Sequence, residues 1–503
     1  MNGRGLSNLK YYVVATVLVA TATASVFLAD AQALAFGALF MVLLCLGVVL
    51  KPLPFLGFFL VVWAPTLFLT MDLVLGQWGT VELRLSRIWG GAFTAACFVR
   101  LVLRLVSRQG LPGISKPLRW YFVFAFYLLM PLVLSPNIVM GANDLIRFAS
   151  GTAVMLLIWA EVETEEDLRL VHRCLIVGTY ICALVTVYHW MEGSEELSEM
   201  SKGMRFVRTS GGLGQANLSG LLAVVGFVSV VPLMYRATSA RQRASILVLS
   251  APYFLAVAVT VSRTALIELV IFVGLLVSFD KQIVRKVSHK ALLLFVSISF
   301  LVSALYLKGF DQVAHRLEDV PGVGDTGLTQ DRTGSGRILI WRGYLRAYAS
   351  GSPQVLLFGH GIGSSLEIIP QYIGVALGAH NEYIHILFEY GIVGLFLYMG
   401  FIITLIRQCY LIYRARDGLA LSPESRSFVG IFLWFFLSYS LSEEIFGWGI
   451  NQLGTRIYVL AFVGMTLASM RQQSATAPVS ETSAVAGNAV HLEPAMRHSQ
   501  SRS

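Results

Sequence analysis

Residues 244–279 read ASILVLSAPYFLAVAVTVSRTALIELVIFVGLLVSF, with Arg263 and Glu268 the only charged side chains in the run. At a rise of about 1.5 Å per residue, one helix of that length would measure about 54 Å, nearly twice the roughly 30 Å hydrocarbon core of a bilayer. The run is therefore two crossings joined by a tight turn near Ser262–Arg263. Such a hairpin commits the chain to a membrane, and the composition agrees. Of 503 residues 56% are hydrophobic and only 13% charged, with mean hydropathy +0.69; soluble domains carry about a quarter charged residues.

Working outward at about 20 apolar residues per crossing, the sequence predicts an all-α polytopic fold with about fourteen spans (twelve to fourteen). They fall near 11–29, 32–50, 53–71, 88–106, 120–135, 145–160, 170–190, 215–235, 244–261, 264–279, 291–307, 385–406, 427–445 and 452–470. Charge tests the count, because a miscounted span would invert the sidedness of every later loop. Basic residues recur on one face: Lys51, Arg100 to Arg119, Arg169 and Arg173, Arg236 to Arg243, Lys281 to Lys290, Arg407 to Arg426, and Arg471. That face is read as cytoplasmic, with both termini on it. The net charge of +9 thus marks orientation rather than nucleic-acid binding. Residues 1–470 form the transmembrane domain, the basic start and the run from Tyr11 being a first span rather than a removed signal peptide. Residues 471–503, rich in Ser, Ala, Thr and Gln, read as a disordered cytoplasmic tail. The five cysteines stand singly in apolar spans or at their ends, which suits packing.

Two segments remain on the outer face. The smaller, 191–214, runs acidic (Glu192, Glu195, Glu196, Glu199), then basic (Lys202, Arg205, Arg208), then Gly211-Gly212-Leu213-Gly214: a solvated loop with a glycine hinge. The larger, 308–384, carries most of the polar chemistry. Arg337 to Tyr348 repeats at helical spacing, Leu339, Arg342 and Arg346 on one side and Ile338, Trp341 and Leu345 along an adjacent apolar stripe. A helix of this kind can lie on a membrane and present guanidinium groups, whose planar forks suit diphosphate as well as anionic lipid. Gly359-His360-Gly361-Ile362-Gly363 lacks the strand–loop–helix setting of a dinucleotide site and reads as a sharp turn. His380, followed by Asn381, Glu382 and Tyr383, stands where a water-facing loop meets a span. It is either a proton-transfer or positioning group or a hydrogen-bonded structural histidine. His385 fits the structural role, four residues before Glu389 on one helix. Arg263, in an apolar hairpin, is a candidate for function or for snorkelling to the interface. Glu268 and Glu443-Glu444 are less directed signals of the same kind.

Ser262-Arg263-Thr264-Ala265, Ser335-Gly336-Arg337 with Trp341, Gly359-His360-Gly361, Ala379 to Tyr383, and Glu389-Tyr390-Gly391-Ile392-Val393-Gly394 occur in that order. The ordered set resembles the O-antigen ligase and Wzy-type O-antigen polymerase superfamily, most closely over about 200–400. The resemblance implies a GT-C-like, metal-independent, inverting glycosyltransferase of the bacterial inner membrane, with no cofactor. Its donor would be a glycan on undecaprenyl diphosphate, used on the periplasmic face. Carried over by motif, Arg263 and Arg337 would bind the lipid diphosphate and His380 would orient or deprotonate the attacking hydroxyl. Arg342, Asn381, Glu382 and Tyr383 would support them. The chemistry agrees, since fixed guanidinium groups stabilise a departing diphosphate without a metal, and no outward carboxylate cluster suits Mg²⁺.

The acceptor separates the members: a second lipid-linked repeat unit for a polymerase of O-antigen or exopolysaccharide, lipid A-core or a protein for a ligase. Fourteen spans and a second charged outer loop favour the polymerase, for which a chain-length regulator is a further expected partner. No arginine-rich repeat is shared by the two outer loops, a departure from some polymerases. A lipid-linked oligosaccharide flippase is the rival from another class. It needs polar residues lining a path and often repeated halves, whereas this chain gathers its polar residues in one outer loop.

Overall fold

The computed structural model describes residues 30–70, 74–78, 81–107, 110–192, 196–198, 206–208, 216–260, 262–279, 337–374, 378–379, 381–414, 428–433, 435–436 and 453–476. Helices dominate: α1 Asp30–Leu50, α2 Pro52–Thr70, α3 Leu85–Val106, α4 Lys116–Tyr127, α5 Leu129–Val133, α6 Ile138–Glu161 and α7 Glu165–Met191. After these come α8 Ala216–Val230, α9 Leu233–Arg236, α10 Ala240–Val259, α11 Arg263–Phe279, α12 Arg337–Ala349, α13 Pro353–Phe358, α14 Ser365–Ile368, α15 Pro370–Ile373, α16 Glu382–Arg414 and α17 Leu453–Thr476. The hairpin read from 244–279 is present as α10 and α11. Among the described residues, four helices are long and apolar enough to cross a membrane: Glu165–Met191, Leu218–Arg236, Ala240–Val259 and Glu382–Arg414. Expected spans 11–29 and 291–307 lie outside the described residues, and 427–445 is described only in part.

The fold is helical as expected, with two short hairpins beside the helices among the described residues. Strands β1 Val74–Trp78 and β2 Val81–Arg84 pair antiparallel, and so do β3 Glu196–Ser198 and β4 Phe206–Arg208. In the second hairpin Glu196 stands opposite Arg208.

Several span boundaries also move, among them three with a plain local cause or extent. The expected span at 120–135 divides into α4 and α5, because Pro131 has no N–H to offer the turn before it. The span drawn at 385–406 lengthens to α16 and is broken at Gly391, where φ is 67° and ψ −174°. The last helix continues to Thr476, six residues past the boundary at 470 where the tail was expected to start.

Local chemistry sets several helix starts. Thr164 and Asp167 form a reciprocal capping box at α7, and Ser239 and Gln242 form one at α10; Asn137 caps α6. Glycines let helix backbones approach. A Cβ on Gly178 would lie 2.2 Å from the Leu60 carbonyl oxygen, and one on Gly464 2.6 Å from that of Met155. Tyr458 donates to the Leu60 carbonyl at 2.6 Å, so α2, α7 and α17 meet at one point. Large apolar side chains such as Phe126 and Val133 face outward, as lipid contact requires.

The two ends of α6, about 36 Å apart, are chemically distinct. At its C-terminal end Arg100 grips Glu161 at 2.8 and 3.2 Å, and Arg104 bridges Glu161 at 3.1 Å and reaches Glu163. Arg471 donates to the carbonyls of Trp159, Ala160 and Val162, which satisfies the open end of the helix and complements its dipole. Arg100, Arg104 and Arg471, assigned to one face by sequence, do converge. The N-terminal end of α6 lies under the 359–365 turn, where the candidate site is built.

Candidate functional site

The second half of the 308–384 segment is a packed unit. Ile340, Tyr344 and Ala347 of α12 join Ile369, Ile373, Ala379 and Phe388 in a small apolar core of their own. The buried face of α12 is therefore Ile340, Gly343, Tyr344 and Ala347, which corrects the stripe of Ile338, Trp341 and Leu345. Leu345 is exposed, as are Arg342 and Arg346, so the helix docks on the protein one residue out of the expected register. The reason is local. Small Gly343 and Ala347 admit the close approach of α15, a Cβ on Gly343 falling 2.5 Å from Ile373 Cγ2.

Trp341 has a different task. Its indole Nε1–H donates at 2.8 Å to the carbonyl of Ala379. Asn381 then caps the following helix, its Oδ1 accepting from Ile384 N at 3.1 Å and its carbonyl from His385 N at 3.0 Å. The helix opened by Arg337 is thereby joined to the residue just before His380. Arg263 opens α11, whose first turn is capped by Ser262 Oγ accepting from Ala265 N at 3.2 Å and which packs on α8 and α10. His380 and the side chains of Arg263 and Arg337 lie outside the described residues. Of the supporting residues, Glu382 is fully buried, Tyr383 packs its ring 6.2 Å from Tyr398, and Arg342 faces outward.

The glycine turn seats the loop on the kinked helix. Gly359 (φ 82°) and Gly391 (φ 67°) meet backbone to backbone: a Cβ on Gly359 would lie 2.2 Å from the Glu389 carbonyl oxygen, and one on Gly391 2.3 Å from that of Leu357. His360 N–H donates to the Phe388 carbonyl at 3.0 Å, Gly361 N–H to that of Glu389 at 3.1 Å, and Ile362 N–H to that of Pro131 at 3.1 Å. The Glu389 carboxylate then accepts from Gly363 N–H at 3.0 Å and Ser365 N–H at 3.4 Å. Tyr127 hydroxyl donates to the Tyr390 carbonyl at 2.7 Å, next to the break. The turn is structural, as its sequence indicated. His360 belongs to it: burial pulls its imidazole below the usual range, opposed by the Ala347 carbonyl at 3.3 Å, and its ring lies 4.6 Å from Phe388.

His385 Nε2 stands 3.5 Å from Glu389 Oε2, the i, i+4 pair expected from sequence. Around it is a group that sequence reading missed. Asp144 and Arg147, paired at 2.9 Å on α6, and Arg456 of α17 line a small cavity with His385, Glu389 and Tyr390 beneath Ile362. Charges inside apolar helices were a usable signal, since each is costly there without a partner. Among the described residues no cluster of His, Cys, Asp and Glu is arranged to hold a metal ion.

Residues 244–399 match the family model described as O-Antigen ligase. The interval takes in the 244–279 hairpin, α12, the glycine turn, the Trp341–Ala379 bond and the Gly391 break. Comparison with curated proteins gives no match.

Proposed function

We propose, on the match of residues 244–399 to the O-antigen ligase family model, that the chain is a member of the O-antigen ligase/Wzy superfamily, a bacterial inner-membrane glycosyltransferase whose donor is a glycan on undecaprenyl diphosphate. In this reading about fourteen spans carry the outer loops 191–214 and 308–384 on the periplasmic face, and the acceptor is a second lipid-linked repeat unit. The protein polymerises O-antigen or exopolysaccharide. Arg263 and Arg337 bind the diphosphate, and His380 orients or deprotonates the acceptor hydroxyl. That hydroxyl attacks the anomeric carbon from the side opposite the leaving diphosphate, inverting it. Charge developing on the departing oxygen is met by guanidinium groups rather than a metal.

The observation that carries the reading is the hydrogen bond from Trp341 to Ala379, inside the matched interval, which ties the helix begun by Arg337 to the residue before His380. A ligase acting on lipid A-core is the second reading, favoured by the description of the matching model. Gel analysis of surface glycan in a deletion strain separates the two. Single-repeat products indicate a lost polymerase, accumulated lipid-linked polymer a lost ligase, and unaltered glycan contradicts both.

A further inference from the structure

We propose that α13, Pro353–Phe358, is embedded in the outward leaflet of the bilayer, its apolar side chains covered by phospholipid acyl chains beside Ile392 and Phe396 of α16. The inference draws on the placement of the 308–384 segment at the outer ends of the spans and makes no use of the transfer chemistry. α13 reads PQVLLF and carries no charge; none of its six residues is buried, and Leu357 is 46% exposed. A lone exposed leucine is ordinary, whereas a continuous apolar strip is not. The Leu357 carbonyl lies against Gly391, which places residue 357 beside Ile392, 48% exposed. Phe396, one turn further along α16, is 65% exposed. Because α16 is long and apolar enough to cross a membrane, its outward strip meets lipid, and Leu357 extends that strip into the outer segment.

The strip joins α16 well inside the helix. Gly391 is nine residues past Glu382, where α16 begins, and six past the boundary drawn at 385, about 9 Å along the axis. At the other end of the glycine turn, Ile362 N–H donates to the carbonyl of Pro131, four residues inside the boundary drawn at 135. The Ile362 carbonyl also lies against Gly141, four residues outside the boundary drawn at 145. Together these levels put the turn at headgroup depth rather than in bulk water, with α13 alongside its deepest contact. Backbone groups at that depth need protein partners, since lipid offers none. Pro353 has no N–H to leave open. Val355 N–H donates to Ser352 Oγ at 3.4 Å, Leu356 N–H to the Ser352 carbonyl at 3.0 Å and Gly359 N–H to the Val355 carbonyl at 2.7 Å. Tyr348 hydroxyl donates to the Leu356 carbonyl at 2.5 Å, and the His360, Gly361 and Ile362 N–H groups are taken by carbonyls of α16 and α5. Exposed Ser352 and Gln354 leave the polar end of α13 for the headgroup side.

The test is photocrosslinking of full-length protein in liposomes of phosphatidylethanolamine and phosphatidylglycerol. Leu357, Phe396 and Glu367 are exchanged one at a time for p-benzoylphenylalanine, and the products are read by intact mass. Phe396 is the lipid-facing reference, and Glu367, exposed on α14, the water-facing one. We expect the probe at 357 to gain the mass of one phospholipid, in a yield nearer to that at 396 than to that at 367. A yield at the level of 367 overturns the proposal, in favour of a helix bathed in water. A covalent dimer in place of the lipid adduct also overturns it, because a second copy of the chain then covers the strip. Should the 357 variant fail to accumulate, wild type in liposomes carrying a phosphatidylcholine with an acyl-chain diazirine decides. Adducts in 353–358 as well as 392–396 support the proposal, and adducts in 392–396 alone overturn it. Adducts in neither overturn it together with the lipid-facing assignment of Phe396. The readout needs no donor or acceptor glycan, so failure of the transferase reading leaves this result standing.

Discussion

Gly391→Ala should unfold the seat of the outer loop, and the structure supplies its own control. At φ 67° and ψ −174° Gly391 occupies a region that side chains other than glycine avoid, at a cost of about 1–3 kcal/mol. The added methyl would also sit 2.3 Å from the Leu357 carbonyl oxygen and 2.5 Å from Gly359 N, both backbone atoms, the latter donating to the Val355 carbonyl at 2.7 Å. Overpacking of that kind costs about another 1–3 kcal/mol, giving roughly 2–6 kcal/mol in all. Gly374 has a comparable φ of 78° but ψ −8°, and a methyl added there would meet nothing within 4 Å. Alanine at 374 faces only left-handed strain of about 1–2 kcal/mol. Denaturant titration of the two variants in one detergent, followed by tryptophan fluorescence, gives their relative midpoints. Gly391→Ala must fall well below Gly374→Ala. Equal midpoints would refute the backbone-to-backbone seating of the glycine turn on the kinked helix.

Glu389→Gln should lose about 1–3 kcal/mol, since an amide offers one acceptor oxygen where the carboxylate serves both Gly363 and Ser365 N–H; limited proteolysis of the 353–374 region reads the loosening. Glu161→Ala should cost about 1–3 kcal/mol by removing the carboxylate that Arg100 and buried Arg104 share, Arg104 keeping Glu163, measured as a lowered unfolding midpoint. His360 links stability to pH. Its imidazole is depressed below the usual value by burial, so the unfolded chain binds the proton first. The contribution is complete above the unfolded pKa of about 6.5 and declines as pH falls below it. His360→Asn should flatten the melting profile between about pH 7 and pH 5, and a profile unchanged by that substitution would contradict the assignment.

The hairpin at 244–279 was legible because length alone forbids a single helix, and the reading survives as α10 and α11. The glycine turn and the His385–Glu389 pair were legible for similar reasons, since both depend on local spacing. Contacts across the chain were not. Nothing in periodicity tells that Trp341 reaches residue 379 or that Asp144, Arg147 and Arg456 meet beneath Ile362, because the partners are far apart in the chain. The register of α12 was misread for a related reason. Hydrophobicity favoured the bulky stripe of Ile338, Trp341 and Leu345, while close packing selected the side bearing Gly343 and Ala347. The break at Gly391 has a plain sequence signal in its glycine, yet its purpose is to admit the backbone of residues 357–359.

The most direct test of the account is glycan transfer by the purified full-length protein in liposomes, supplied with a lipid-diphosphate-linked repeat unit and chelator. Wild type should form new glycosidic linkages and release lipid diphosphate, while His380→Ala, Arg263→Ala and Arg337→Ala should fold and lose transfer. Movement of the lipid-linked glycan across the bilayer without new linkages, or full transfer by His380→Ala, would contradict it.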